Sequence, residues 1–195
     1  IGAVTLMFSV LNASVLRPLP FPEPEVAVYE GGGDQVMPAV AYNGTGHGSL
    51  VVWQNTDLDA GDIHGRLVWP NGSVGTERAY AQAAGAQATP VVAWNSTDDD
   101  FLVAWADRRT AGSTGTDIYG QLTQGDGSLL GSNLAVSAAN GDQNAPVVHY
   151  IDTTGRYYLV WQDNRPSAVG GWDLYSLWVN VDGSPGSALL PLFAS

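Results

Sequence analysis

The sequence has no cysteine and no lysine. Without cysteine there is no disulfide framework, no thiolate zinc site and no cysteine nucleophile. Lys and Arg together number 7 against 19 Asp and Glu, giving a formal net charge of -12. Such a chain lacks the basic footprint that phosphate backbones require, which excludes nucleic acid as a partner. Charge of either sign is scarce, at 13% of residues against about 25% in an average soluble domain. Helical periodicity is missing after residue 24. Catalytic signatures are missing too: there is no G-x-S-x-G elbow, no His-x-x-x-His pair among His47, His64 and His149, and no sialidase-type S-x-D-x-G-x-T-W box.

What is present is apolar and punctuated. Hydrophobic residues make up 45%, with 24 Gly, 11 Pro and 7 Trp, a composition that predicts many short strands joined by turns. Three segments align. The first runs DQVMPAVAYN, SLVVWQN, DIHGRLV, NGS; the second AQATPVVAWN, FLVAWAD, DIYGQLT, DGS; the third DQNAPVVHYI, YYLVWQD, DLYSLWV, DGS. Gln35, Gln87 and Gln143, then Pro38, Pro90 and Pro146, then Trp53, Trp105 and Trp161, then Asp62, Asp117 and Asp173 recur in step. Each unit predicts three apolar strands, an Asn-Gly or Asp-Gly turn and a weaker fourth strand. Four strands per unit of fifty-odd residues, each with one anchoring Trp, is a propeller-blade pattern. Continuous apolar runs suit sheets buried on both faces.

The expected fold is therefore all-β: a β-propeller-like array of three four-stranded blades, covering about residues 34–84, 85–140 and 141–195. A surplus strand precedes it, because Val26–Glu30 lines up with Leu134–Ala138, the last strand of the second unit. An unpaired apolar strand is a sticky edge. It could belong to a longer array, complete a ring with other copies, or be donated to a neighbour; completion between molecules is the expectation. Val26, Val28 and Tyr29, with Leu6, Phe8 and Val10 of an uncharged N-terminal arm, are the candidate assembly residues. Residues 1–16 are too short for a confident membrane span, and membrane contact is one reading of them; the Pro-rich stretch 17–24 is extended and stiff.

The repeats, most clearly FLVAWADRR followed by DIYGQLTQGDGS, resemble the WD40-like repeats of TolB-type propellers and related surface-layer propellers. The resemblance spans residues 26–195 and implies fold more than function, since propellers host many activities. The first unit departs from it: Asn55 stands where the others have Asp107 and Asp163, His64 where they have Tyr119 and Tyr175, and nothing matches Arg109 and Arg165.

Candidate chemistry lies at the repeated positions. Trp53, Trp105 and Trp161 could stack on sugars while Asp107, Arg109, Asp163 and Arg165 bond hydroxyls; the competing reading is that all seven hold the blades together, as repeated residues usually do. The acidic runs Asp57–Asp59–Asp62 and Asp98–Asp99–Asp100 offer oxygen ligands for calcium, without the spacing of an EF-hand; no other cofactor is expected. Asn12, Asn43, Asn71 and Asn95 head N-x-S/T sequons, glycan acceptors on a secreted chain. Together these features lead to an expected extracellular, self-associating structural protein, a filament, sheath or surface-layer subunit joined by strand exchange, and not an enzyme. The alternative is a carbohydrate-binding, lectin-like propeller module.

Overall fold

The computed structural model describes residues 25–46, 48–57, 61–166, 170–186 and 190–191. Among the described residues, twelve strands form three antiparallel sheets, each a meander in chain order. Blade 1 contains β1 (Gln35–Asn43), β2 (Gly48–Asn55), β3 (Asp62–Val68) and β4 (Arg78–Ala81). Blade 2 contains β5 (Gln87–Asn95), β6 (Asp100–Asp107), β7 (Asp117–Gln124) and β8 (Leu129–Ser137), and blade 3 contains β9 (Gln143–Ile151), β10 (Arg156–Asp163), β11 (Asp173–Asn180) and β12 (Leu190–Pro191). The three-blade array is the one the repeats predict.

Each blade opens on the same irregularity. Met37, Thr89 and Ala145 adopt left-handed φ of 51°, 50° and 49°, each just before the repeated Pro. In the ladder this dipeptide forms a bulge opposite the blade's Trp. A proline has no N–H to give a ladder, so a bulge is where a strand tolerates one. The preceding Gln locks the incoming chain: Gln87 Nε2 donates to the carbonyls of Ala83 and Gly85, and Gln143 Nε2 to those of Ala139 and Gly141.

Two cores lie between neighbouring blades. Leu50, Val52 and Ile63 meet Phe101, Val103 and Trp105 across the first seam. Leu102, Ala104 and Ile118 meet Tyr157, Leu159 and Trp161 across the second. Blade 2 thus buries both faces, which is why its strands read as unbroken apolar runs. The outward faces of the end blades do not: Val40 and Val147 are each 62% exposed.

The segment expected to be a surplus strand is corrected here. Val26–Glu30 makes no ladder. It lies across its own blade 1, where the Val28 carbonyl accepts a 3.1 Å bond from the Arg66 guanidinium and the Tyr29 ring packs on Trp53 at 5.6 Å. Aromatic packing and one guanidinium bond hold it there without any strand pairing. Leu6, Phe8, Val10 and Asn12 lie outside the described residues.

Candidate functional site

Blades 2 and 3 carry the same internal plug. The buried Trp105 Nε1 donates to Asp107 Oδ2 at 2.7 Å, and Arg109 closes on the same carboxylate through Nε at 2.9 Å and Nη2 at 2.6 Å. The guanidinium lies 4.1 Å from the centre of the Tyr119 ring and reaches Asn133 Oδ1 at 3.0 Å. Blade 3 repeats it with Trp161, Asp163, Arg165 and Tyr175: Trp161 Nε1 donates to Asp163 Oδ2 at 3.0 Å, and the guanidinium lies 3.7 Å from the Tyr175 ring. Burial works to raise the Asp163 carboxyl, but the hydrogen bonds from Arg165 and Trp161 outweigh it and hold the group below the usual carboxylate range; the same pairing pushes Arg165 up. Both carboxylates are fully enclosed. Within each blade the Trp, Asp and Arg are satisfied by one another, and the enclosed rings of Trp105 and Trp161 offer no face to a sugar. The ligand-binding reading of the repeated residues is thereby corrected: they form the structural plug.

Blade 1 lacks the plug. Trp53 pairs with His64 across β2–β3 as Trp105 pairs with Tyr119 across β6–β7, and His64 pairs with Ala79 as Tyr119 pairs with Ala135. Counting from these rungs, Asn55 replaces Asp107, Asp57 replaces Arg109, His64 replaces Tyr119 and Glu77 replaces Asn133. Removing the arginine and shortening the ring leaves a cavity of about 410 Å3, walled by Tyr29, Asn55, Asp57, Asp62, His64 and Glu77 among others.

Its polar groups do not close into the plug of the other blades. Asn55 Oδ1 accepts from the Asp57 N–H at 2.9 Å, the counterpart of the Arg109 N–H to Asp107 Oδ1. That bond turns the Asn55 Nδ2 to the place where Asp107 presents its second oxygen. The Trp53 indole N–H therefore lacks the carboxylate oxygen that Asp107 gives Trp105. Trp53 is 3% exposed, and its Nε1 has no hydrogen-bond partner among the described residues. A buried N–H without an acceptor costs about 1–3 kcal/mol.

The opposite wall is acidic. His64 Nδ1 lies 2.5 Å from Glu77 Oε1, and Arg66 reaches Glu77 Oε2 at 3.5 Å while its guanidinium sits 5.2 Å from the Tyr29 ring. Asp57 stands under the Gly31–Gly33 turn. Gly33 has a φ of +70°, and a Cβ there would collide with the Asp57 carboxylate. Only glycine lets the turn lie this close. The Asp57 carboxylate itself makes no hydrogen bond or ion pair among the described residues.

The other expected sites fare differently. Asp98, Asp99 and Asp100 border a shallow depression with Gln124 and Asp126, but they are structurally engaged. Asp99 accepts from Asn43 Nδ2 at 2.6 Å and Trp94 Nε1 at 3.1 Å, and Asp98 accepts from Asn95 Nδ2. Burial and the carboxylates of Asp98 and Asp99 push the Asp100 carboxyl up. Among the described residues no three His, Asp or Glu converge as a metal cage; Asp59 lies outside them. Asn43 and Asn95 are fully buried, so the folded chain does not present them to a glycan; Asn71 is exposed. All three sequons are Asx turns, with the Asn Oδ1 accepting the N–H two residues on.

No family model matches the chain, and no curated protein matches it. Solved structures do. An N-acetylgalactosamine deacetylase from F. plautii, in complex with blood group B trisaccharide, aligns with a TM-score of 0.59 at 10% identity, over 88% of this chain and 56% of the other. An alpha-L-arabinanase from Penicillium chrysogenum complexed with arabinobiose aligns at 0.55 and 17% identity, over 82% and 50%. An endo-arabinase from Bacteroides thetaiotaomicron aligns at 0.52 and 10% identity, over 90% and 62%. The likeness is one of fold. The chain spans about half the length of the structures it matches. These neighbours nevertheless overturn the expected filament or surface-layer subunit without enzymatic activity: the chains that share its architecture act on glycans.

The site was half legible. Asn55, His64 and the missing Arg stood out as departures from the repeat. Glu77 and Tyr29 did not, since one sits in the weakest strand region and the other precedes the first blade.

Proposed function

We propose that this chain is the glycan-recognising part of a carbohydrate-active β-propeller, with the blade 1 cleft as its sugar site. One observation carries the proposal. Two of three blades close this position with a self-satisfied plug, and the third opens it, leaving the Asn55 amide and the Asp57 carboxylate on the wall of one cavity. A sugar hydroxyl both accepts and donates, so a polyol suits a wall that offers a donor and an acceptor side by side. The neighbours' glycans, arabinobiose and a blood group trisaccharide among them, support the class of ligand. An extracellular location belongs to the same reading, since polymeric glycans are met there.

Titration calorimetry of the purified chain against arabino-, xylo- and hexosamine-containing oligosaccharides tests it. Binding of at least one class is expected, weakened about tenfold or more by Asn55→Ala or Asp57→Ala with the fold intact by circular dichroism. Absence of binding across the panel would overturn the proposal.

A second reading rests on Glu77 and His64 sharing the cleft with Asp57 and Asp62. Glycoside cleavage needs an acid and a second carboxylate flanking one bond. Under this reading Glu77 exchanges the proton and His64 orients it. Turnover of chromogenic arabinosides or xylosides, falling about 100-fold in Glu77→Gln, is the expected result; turnover unchanged in that variant would remove Glu77 from the role.

A further inference from the structure

The charge of the cleft narrows its ligand further. At the Arg109 and Arg165 position blade 1 presents Asp57, an acid where its siblings hold a cation. At the Asn133 position it presents Glu77, and Asp62 adds a third carboxylate to the wall. Arg66 and His64 both turn to Glu77, which leaves the Asp57 carboxylate without a counter-charge. A site that has exchanged guanidinium for carboxylate is built for a positive group.

A bare metal ion does not meet the other half of the site. Asn55, on the cavity wall, keeps its Oδ1 on the Asp57 N–H and so offers its Nδ2 as a donor, which needs an acceptor that a cation does not supply. The ligand must carry a positive charge and hydroxyl oxygens on one small frame. Tyr29 adds an aromatic wall, which favours a ring with apolar C–H faces.

Resting on the sugar-binding reading above, we propose that the cleft prefers a sugar bearing a free amine, a hexosamine residue whose ammonium pairs with Asp57 while a ring hydroxyl accepts from Asn55. N-acetylation would remove the charge and add bulk, so the acetylated sugar binds more weakly.

The test compares oligosaccharides of glucosamine and galactosamine with their N-acetylated and neutral counterparts, by calorimetry on the purified chain. The expected result is at least tenfold tighter binding of the free-amine sugars near neutral pH. That preference should shrink with added salt, as a solvent-accessible charge pair is screened, and should vanish as the pH rises past the sugar amine's pKa. Asp57→Asn should abolish the preference while leaving residual hydroxyl-dependent binding. Asp57→Ser repeats the test without the amide. Equal or tighter binding of neutral or acetylated sugars would overturn this inference and leave the sugar-binding proposal standing. Failure of every sugar to bind would overturn both. Binding of calcium alone, lost with Asp57, would also overturn it.

Discussion

Asp163 and Arg165 set out what one side-chain pair does here. The carboxylate is fully enclosed, takes bonds from Trp161 and Arg165, and is held below its usual range. Its folded-state pKa lies under the unfolded value of about 3.9. The stabilisation is therefore complete above that value and disappears as the pH falls through the lower, folded-state pKa. Urea melts at pH 7 and pH 3 should show it, and Asp163→Asn should lose about 3–5 kcal/mol at pH 7 because the guanidinium is left half-buried and unpaired. Asp100 has the opposite sign. Its carboxyl is pushed up by burial and two acidic neighbours, so its charged form disfavours the fold, a penalty absent at low pH and growing as the pH rises through the folded-state value. Asp100→Asn should raise the melting temperature at pH 7 and give no gain near pH 3.

Among the strands, the repeated opening bulge is the element that specifies a blade. Thr89 holds a left-handed φ that a β-branched residue disfavours. Thr89→Gly should therefore be neutral or stabilising by up to about 1 kcal/mol, whereas Gln87→Ala, which removes both clamp bonds, should cost about 1–3 kcal/mol. Calorimetric melting of the two variants distinguishes these signs. The bulge was legible only as a recurring Gln and Pro, because φ is not written in side-chain type. The turns were legible as turns but were also read as glycan acceptors. Asn-x-Ser/Thr and Asp-x-Ser fold the same way, as Asp126 and Asp182 accepting from the N–H of Ser128 and Ser184 make plain. At Asn43 and Asn95 that turn is buried away from any glycan. Strand existence followed from apolar runs and Asn-Gly signals; the fate of Val26–Glu30 did not, because its alignment with a strand carries no information about whether a pairing edge is free.

Across the whole molecule, two cores share one central blade. Phe101 is wholly enclosed in the first, and Phe101→Ala should cost about 3–5 kcal/mol, with fluorescence and circular dichroism melts staying coincident because the blades unfold together. Val40→Ala, on an outward face, should change stability by no more than about 0.5 kcal/mol. What the sequence could not supply was the assignment of the repeated Trp, Asp and Arg. Their recurrence marks the shared architecture, and the cavity opens where recurrence fails, at Asn55, Asp57, His64 and Glu77. The missing plug has one more consequence. Since blades 2 and 3 record the closed form of the same position, the molecule contains its own blank. Transcribing three letters from blade 2 into blade 1, Asn55→Asp, Asp57→Arg and His64→Tyr, would fill the vacancy from the protein's own vocabulary and yield a matched, silent twin for every binding or turnover experiment.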